Sequence, residues 1–293
     1  MKDRSRRLPL PHRVQDRKSS PEANVVDDLQ FRRILTSMGL AWQGYRKVRK
    51  GVKKRLGRHM QELGCRDVTR YIERLEQEKA LRKKCQRLLS VSISRFFRDR
   101  RLWDTLEKHI LPELIAAGSN PLKVWSAGCA CGEEAYSLNI LWEQIGRCVG
   151  ELPRLEITAT DMNPVYLARA RAALYPASSL REVPEEMRNR FFRVRSGAKV
   201  FRVHPALRKR IRWLPHSFFS PPPGSGFQLI FARNSLLTYY QEPLIRSGLE
   251  HIIGALAGGG YLIIGAHECL PSRPRDLQPC PWLPFAFRKG NPA

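Results

Sequence analysis

The sequence predicts an α/β protein: an all-helical N-terminal domain ahead of a doubly wound, largely parallel sheet that carries a small β-insertion. Three observations predict it. Apolar residues recur at helical spacing from Leu29 to Leu89. Beyond about residue 120, short apolar runs alternate with helical stretches, which is how strand–helix–strand units read in sequence. The first of those runs, LKVWSA, leads directly into AGCACG, a glycine turn at the point where such a sheet opens onto a ligand.

Taken in order, residues 1–27 are polar, basic and proline-bearing, the composition of a disordered arm. Residues 28–90 form the helical domain. Phe31, Ile34, Leu35 and Met38 fall at i, i+3, i+4 and i+7; Val48, Val52, Leu56 and Met60 step by four; Val68, Tyr71, Ile72 and Leu75, then Leu81, Cys85, Leu88 and Leu89, complete two further stripes. The second stripe is wrapped in cations: Arg46, Lys47, Arg49, Lys50, Lys53, Lys54, Arg55 and Arg58. They form either a solvated face or a docking surface for acidic helices or phosphates. Residues 91–120 are a linker and a helix carrying Leu102, Trp103, Leu106, Ile110, Leu111 and Leu114. Residues 121–293 hold the alternation: LKVWSA and a helix from about Glu133; LEITATD and PVYLARARAAL; FQLIFA and a helix from about Pro243; GYLIIGAH last. Residues 174–226 interrupt it with a short helix in VPEEMRNRFF and two strands, VFRV and IRWL, read together as the small β-insertion. HIIGALAGGGYLIIGAH is the most apolar long window, but its five glycines and flanking histidines read as helix, turn and strand, not as a membrane span.

The chain has 293 residues with 52 Lys and Arg against 27 acidic residues, a formal charge of +25. That balance favours an acidic partner, whether protein, nucleic acid or anionic surface. The seven cysteines are odd in number and irregular in spacing. This argues against a disulfide framework and fits a reducing cytoplasm better. The N-terminus has no apolar segment of a secretory signal. A monomer is expected.

Gly128 and Gly132 bracket the turn between the first strand and its helix. They admit close backbone approach to a ligand beside a helix N-terminus. The spacing is neither G-x-G-x-x-G nor a phosphate loop, so a dinucleotide or nucleoside triphosphate is not indicated. Asp161, at the end of the next strand, is placed to accept hydrogen bonds from ribose hydroxyls. A glycine turn followed by an acidic strand end suits an adenosyl cofactor without a pyrophosphate, and S-adenosylmethionine fits. Cys129 and Cys131 lack the further ligands that zinc requires and an activating base for thiol chemistry; no metal is expected. Glu133 reads as a complement to the helix dipole, and His267 and Glu268 as structural.

Four stretches occur in register: SVSISRFFRD, VWSAGCACGEEAYSLNI, ITATDMNPVYLARARAALY and LIFARNSLLTYY. Together with the helical N-terminal region and the ending YLIIGAHECLP, they resemble the CheR-type family of chemotaxis-receptor glutamate O-methyltransferases, from about Leu29 to Lys289. The resemblance implies a Rossmann-like methyltransferase domain, S-adenosylmethionine as donor, and glutamates of chemoreceptor cytoplasmic helices as acceptors. By motif it implies Ser92, Ser94 and Arg98 at cofactor-contacting positions around FFR. Glu134, the second acid of GEE, and Asp161 would hold the methionine or ribose part, with Gly128 in the cofactor turn beside them. Ser217 and Phe218 would flank the adenine, and Arg233 and Asn234 match the RN of the family motif. RNSLLTYY is one residue longer than the family's pattern. The tyrosine near the transferred methyl is assigned to Tyr239, the alternative register putting Thr238 there.

A glutamate side chain, with a reference pKa of about 4.3, is already ionised at neutral pH. The chemistry is then alignment and partial desolvation, with Arg98 and Tyr239 as the expected catalytic pair. Two other readings share these motifs: methylation of RNA or a small acid, and a regulatory protein that binds the cofactor with weakened catalysis.

Overall fold

The computed structural model describes residues 26–92, 94–194, 200–272 and 274–291. Of the arm expected over residues 1–27, residues 1–25 lie outside the described residues. Val26 is buried in the helical cluster. Asp27 caps the first helix, its carboxylate accepting from Gln30 N at 2.7 Å while Gln30 Oε1 accepts from Asp27 N at 3.0 Å.

The N-terminal helices are α1 (Asp28–Ser37), α2 (Trp42–Tyr45), α3 (Arg49–Glu62), α4 (Val68–Gln77) and α5 (Lys79–Leu89). Their stripes converge on one buried cluster, with Phe31, Ile34, Leu56, Tyr71 and Leu75 at its centre. The cationic face of α3 is not uniformly solvated. Arg55 donates to the carbonyls of Leu88 and Ser90, and Lys53 and Arg49 pair with Asp28. Next come α6 (Arg100–Thr105), a π-helical turn over Leu106–Ile110, and α7 (Leu111–Ala116). Pro112 has no N–H to return to the preceding turn, which accounts for the local widening.

The second unit comprises β1 (Leu122–Ala127), α8 (Glu133–Val149), β2 (Leu155–Asp161), α9 (Pro164–Ala172), β3 (Leu174–Pro176), α10 (Glu185–Phe191), β4 (Phe192–Val194), β5 (Val200–Val203), α11 (Pro205–Arg208), β6 (Ile211–Pro215), β7 (Phe227–Phe231), α12 (Leu236–Tyr239), α13 (Glu242–Ala255), β8 (Leu256–Ile263), β9 (Leu277–Cys280) and β10 (Leu283–Lys289). Among the described residues, seven strands form the main sheet in the order β6-β2-β1-β7-β8-β10-β9. The five from β6 to β8 are parallel; β10 runs antiparallel to both of its neighbours. The strand order reverses between β1 and β7, the switch point at which ligands bind in such sheets. Trp125 in β1 is fully buried and donates to Thr160 Oγ1 of β2 at 2.9 Å.

Three local readings are corrected. IRWL does not belong to the insertion: as β6 it is the edge strand of the main sheet, parallel to β2 with Ile157 opposite Ile211. The insertion sheet is instead β3-β5-β4. A half-solvated edge strand carries the same alternating pattern as an insertion hairpin, and only its non-local partner tells them apart. ALAGGG is not a turn. Helix α13 passes directly into β8, and its glycines lie in a bulged segment where a Cβ on Gly260 would stand 3.1 Å from the carbonyls of Phe227 and Gln228. The hairpin β9–β10, which closes the sheet, follows the last strand expected from the sequence.

The two units are joined by main-chain hydrogen bonds. Ala41 N donates to Tyr239 O at 2.8 Å and Gln241 N to Gly39 O at 2.9 Å. Helix α2 lies so close to α12 that a Cβ on Gly44 would stand 2.3 Å from the carbonyl oxygen of Thr238. Backbone cannot yield as a flexible side chain does. Gly44→Ala is therefore expected to destabilise the protein by about 1–3 kcal/mol, read as a lower denaturation midpoint; an unchanged midpoint would contradict the close approach.

Candidate functional site

The carboxyl ends of β1, β2, β7 and β8 open into a cavity of about 970 Å³ roofed by the N-terminal helices. Cavities of roughly 300–1,000 Å³ hold small-molecule ligands, and this one lies at the switch point.

The β1–α8 turn is built from left-handed backbone at Gly128 (φ 77°), Ala130 (φ 49°) and Gly132 (φ 90°). At Gly128 a Cβ would meet Ser235 at 3.0 Å and Phe218 at 3.1 Å, so the position has neither the space nor the backbone conformation for a side chain. Asp161, at the end of β2, clasps this turn: one carboxylate oxygen accepts from Ala130 N at 3.0 Å, the other from Asn163 N at 2.8 Å. Burial raises its pKa, and the two backbone donors pull against that shift. The N-cap of α9 is Asn163, which accepts from Val165 N, leaving Asp161 facing the cavity.

Arg233, one residue beyond the end of β7 plus its flanking Ala232, has a side chain only 4% exposed. Its guanidinium pairs with Glu134 Oε2 at 3.0 Å and with Asp99 Oδ2, and donates to Arg98 O at 3.4 Å. The second oxygen of Glu134 accepts from Ser126 Oγ at 2.7 Å. Each carboxylate oxygen keeps a free lone pair for a ligand. Asn234 has φ 49°, and its N–H donates to Glu268 Oε2 at 2.9 Å. Glu268 also accepts from Gly265 N at 2.6 Å and from Thr238 Oγ1, so it clamps the loop between β7 and α12. Glu268 also lines the cavity.

Most of the expected residues gather on this cavity: Ser94, Arg98, Gly128, Glu134, Asp161, Ser217, Phe218, Arg233, Asn234 and Tyr239 all line it. Ser92 does not; its Oγ lies 3.6 Å from Cys131 Sγ, on the α8 side of the linker. Glu133 is more than a dipole complement: it is 5% exposed, burial raises its pKa, and Oε2 has no partner. Tyr239 packs edge-on against Tyr45 of the helical domain, with ring centroids 5.1 Å apart. Burial raises its pKa, with Arg98 opposing. Tyr240 lines the cavity beside it, its pKa raised to about 12, chiefly by burial. Burial pushes the Cys129 and Cys131 thiols up, so neither is a ready thiolate. No cluster of three or more metal-ligating side chains occurs among the described residues.

Sequence reasoning missed Asp99 and Ser235. Asp99 was visible in FFRD, but nothing local signals that it reaches β7. Ser235 Oγ is buried without a partner at the turn beside Gly128.

Residues 92–283 match the model of the CheR methyltransferase, SAM binding domain. A chemotaxis protein methyltransferase of Listeria monocytogenes is 34% identical over 198 residues, covering 68% of this chain and 73% of that protein. Chemotaxis protein methyltransferase 1 of Pseudomonas aeruginosa is 30% identical over 233 residues, covering 78% and 84%. A 104.1 kDa protein of Rhodobacter capsulatus is 31% identical over 75% of this chain, which spans only 23% of it. Among solved structures, the SAM-bound amino pentose methyltransferase CalS10 from Micromonospora echinaspora aligns with a TM-score of 0.34 at 14% identity, covering 59% of this chain and 54% of its own. The N-methyltransferase NodS from Bradyrhizobium japonicum, in complex with S-adenosyl-L-homocysteine, aligns with a TM-score of 0.31 at 16% identity, covering 66% and 70%. On the family match and these relatives, the chain belongs to the CheR methyltransferase family and is an S-adenosylmethionine-dependent methyltransferase.

Proposed function

We propose that this enzyme forms methyl esters on glutamate side chains of an acidic protein helix, of the kind that chemoreceptor cytoplasmic domains present. The observation that carries the reading is the division of charge within one cavity. On the sheet side the carboxylates Glu134, Asp161 and Glu268 line it, Glu268 being engaged with the β7–α12 loop, and Arg233 is neutralised by its pairing. On the side of the helical domain and linker stand Arg46, Lys47 and Arg98, with Arg49 and Arg95 beside them, each paired with one carboxylate, Asp28 and Glu182. The first set suits a cationic cofactor, the second an anionic acceptor. The relatives named as chemotaxis protein methyltransferases point the same way.

The sheet-side residues fit S-adenosylmethionine. Glu134 suits its ammonium and Asp161 its ribose hydroxyls. Phe218 offers a flat apolar face to the adenine, and the unpartnered Ser235 Oγ is a spare polar group in the wall. The cofactor supplies an electrophilic methyl on a cationic sulfur. The chain's own tasks are then limited. The acceptor carboxylate is ionised without a base. Arg98 receives it and lines it up, since a guanidinium fork matches a carboxylate. Tyr239 and Tyr240 exclude water from the approach, and with raised pKa values they remain neutral donors at physiological pH. His216 also lines the cavity, but its Nε2 is already within 2.9 Å of Pro221 O. No proton transfer is required of it.

Incubation with radiolabelled donor against receptor cytoplasmic fragments and total RNA tests the acceptor class. Label on protein that is released by mild base supports the ester; label on RNA, or no label despite cofactor binding, overturns it. Arg98→Ala is expected to lower kcat by about 100-fold while changing cofactor Kd by less than about threefold; equal loss in both would make Arg98 a cofactor ligand only. Arg46→Glu with Arg49→Glu is expected to raise the acceptor KM by about tenfold and to flatten its salt dependence, with kcat unchanged. Steady-state kinetics at two ionic strengths checks this.

A further inference from the structure

Arg98 stands between two residues in the left-handed region, Phe97 at φ 52° and Asp99 at φ 65°. Neither is glycine, and a bulky aromatic residue there is a true outlier. Backbone of this kind persists only where its surroundings over-determine it. Here they do. Phe97 N donates to Ser137 Oγ at 2.9 Å. Arg98 O accepts from Trp103 Nε1 at 2.9 Å and from the Arg233 guanidinium at 3.4 Å. The Asp99 carboxylate pairs with that same guanidinium.

Asp99 occupies the N-cap of α6, yet its side chain makes no cap hydrogen bond. Aspartate at an N-cap ordinarily accepts from the helix's free N–H groups, and forgoing that bond costs stability. The carboxylate has been drawn away to a nearly fully buried arginine. Asp99 itself does not line the cavity, whereas Arg98 does. Arg233 and Trp103 line it too, and both donate to the Arg98 carbonyl, where the hold of Asp99 and that of the indole converge.

We propose that Asp99, through Arg233, and Trp103, through its indole N–H, are positioning residues that hold the strained linker so that Arg98 faces the acceptor. The inference rests on the reading of Arg98 as the group that orients the acceptor carboxylate. Asp99→Asn weakens the pull on Arg233; Trp103→Phe keeps the ring packed against Phe97 and Phe231 but removes the donor.

The test uses the full chain with a receptor cytoplasmic fragment as acceptor. It measures kcat and acceptor KM by steady-state kinetics and cofactor Kd by calorimetry. Each single variant is expected to lower kcat/KM for the acceptor by about tenfold, a modest misalignment of a group whose placement controls rate, with cofactor Kd within about threefold of the parent. In an Arg98→Ala background the same substitutions are expected to have no further effect. Full additivity with Arg98→Ala would make the two residues merely structural and overturn the proposal, as would singles that leave the acceptor parameters untouched. Arg98→Ala having no effect of its own would overturn the reading of Arg98 and this inference together, which separates the two failures.

Discussion

One buried guanidinium joins the parts of this enzyme. Arg233 leaves the end of the central sheet, takes Glu134 from the first helix of the cofactor turn, and takes Asp99 from the linker. A buried cation without partners would be strongly destabilising, and a pair broken on one side leaves the other uncompensated. The three segments are therefore not free to move separately: linker, helix α8 and strand β7 share one ionic junction. Glu134 reaches that junction because Gly132 starts α8 in a left-handed turn. Asp99 reaches it because the linker accepts a left-handed residue of its own.

Around that junction the cavity is assembled from elements far apart in the chain. Asp161 ties the glycine turn to β2, Glu268 ties the β7–α12 loop to the segment after β8, and Tyr239 ties that loop to the helical domain. Each is a hydrogen-bonded or ring contact that fixes one wall. The anionic groups come from the end of β2 and the first turn of α8, the cationic ones from the helical domain and linker, and the proposed transfer to a carboxylate rests on that separation.

Much of this could be read from the sequence. LKVWSA becomes β1 with both boundaries as expected, because a fully buried parallel strand is an uninterrupted apolar run with a glycine turn behind it. GEE, ATD and RN all arrive at one cavity because parallel strands deliver their ends to the same edge. What escaped was decided by distant partners. IRWL as β6 and LPFAFRK as β10 take their places from neighbours remote in sequence, and no local pattern names those. Asp99 carried no signal of its own, and Ser92 matched a cofactor-contacting position. One turned toward Arg233, the other toward Cys131, and side-chain direction in an irregular linker has no period to read.

The bonds between the two units have a consequence for how such an enzyme diversifies. The Ala41–Tyr239 and Gln241–Gly39 contacts run from main chain to main chain, so they carry no demand on side-chain identity beyond the glycines at 39 and 44 and an N–H at each donor. The outward face of the helical domain can exchange its charges while the tyrosine loop keeps its position. Under the proposed function, the charges that select a partner can then drift without displacing the tyrosine loop.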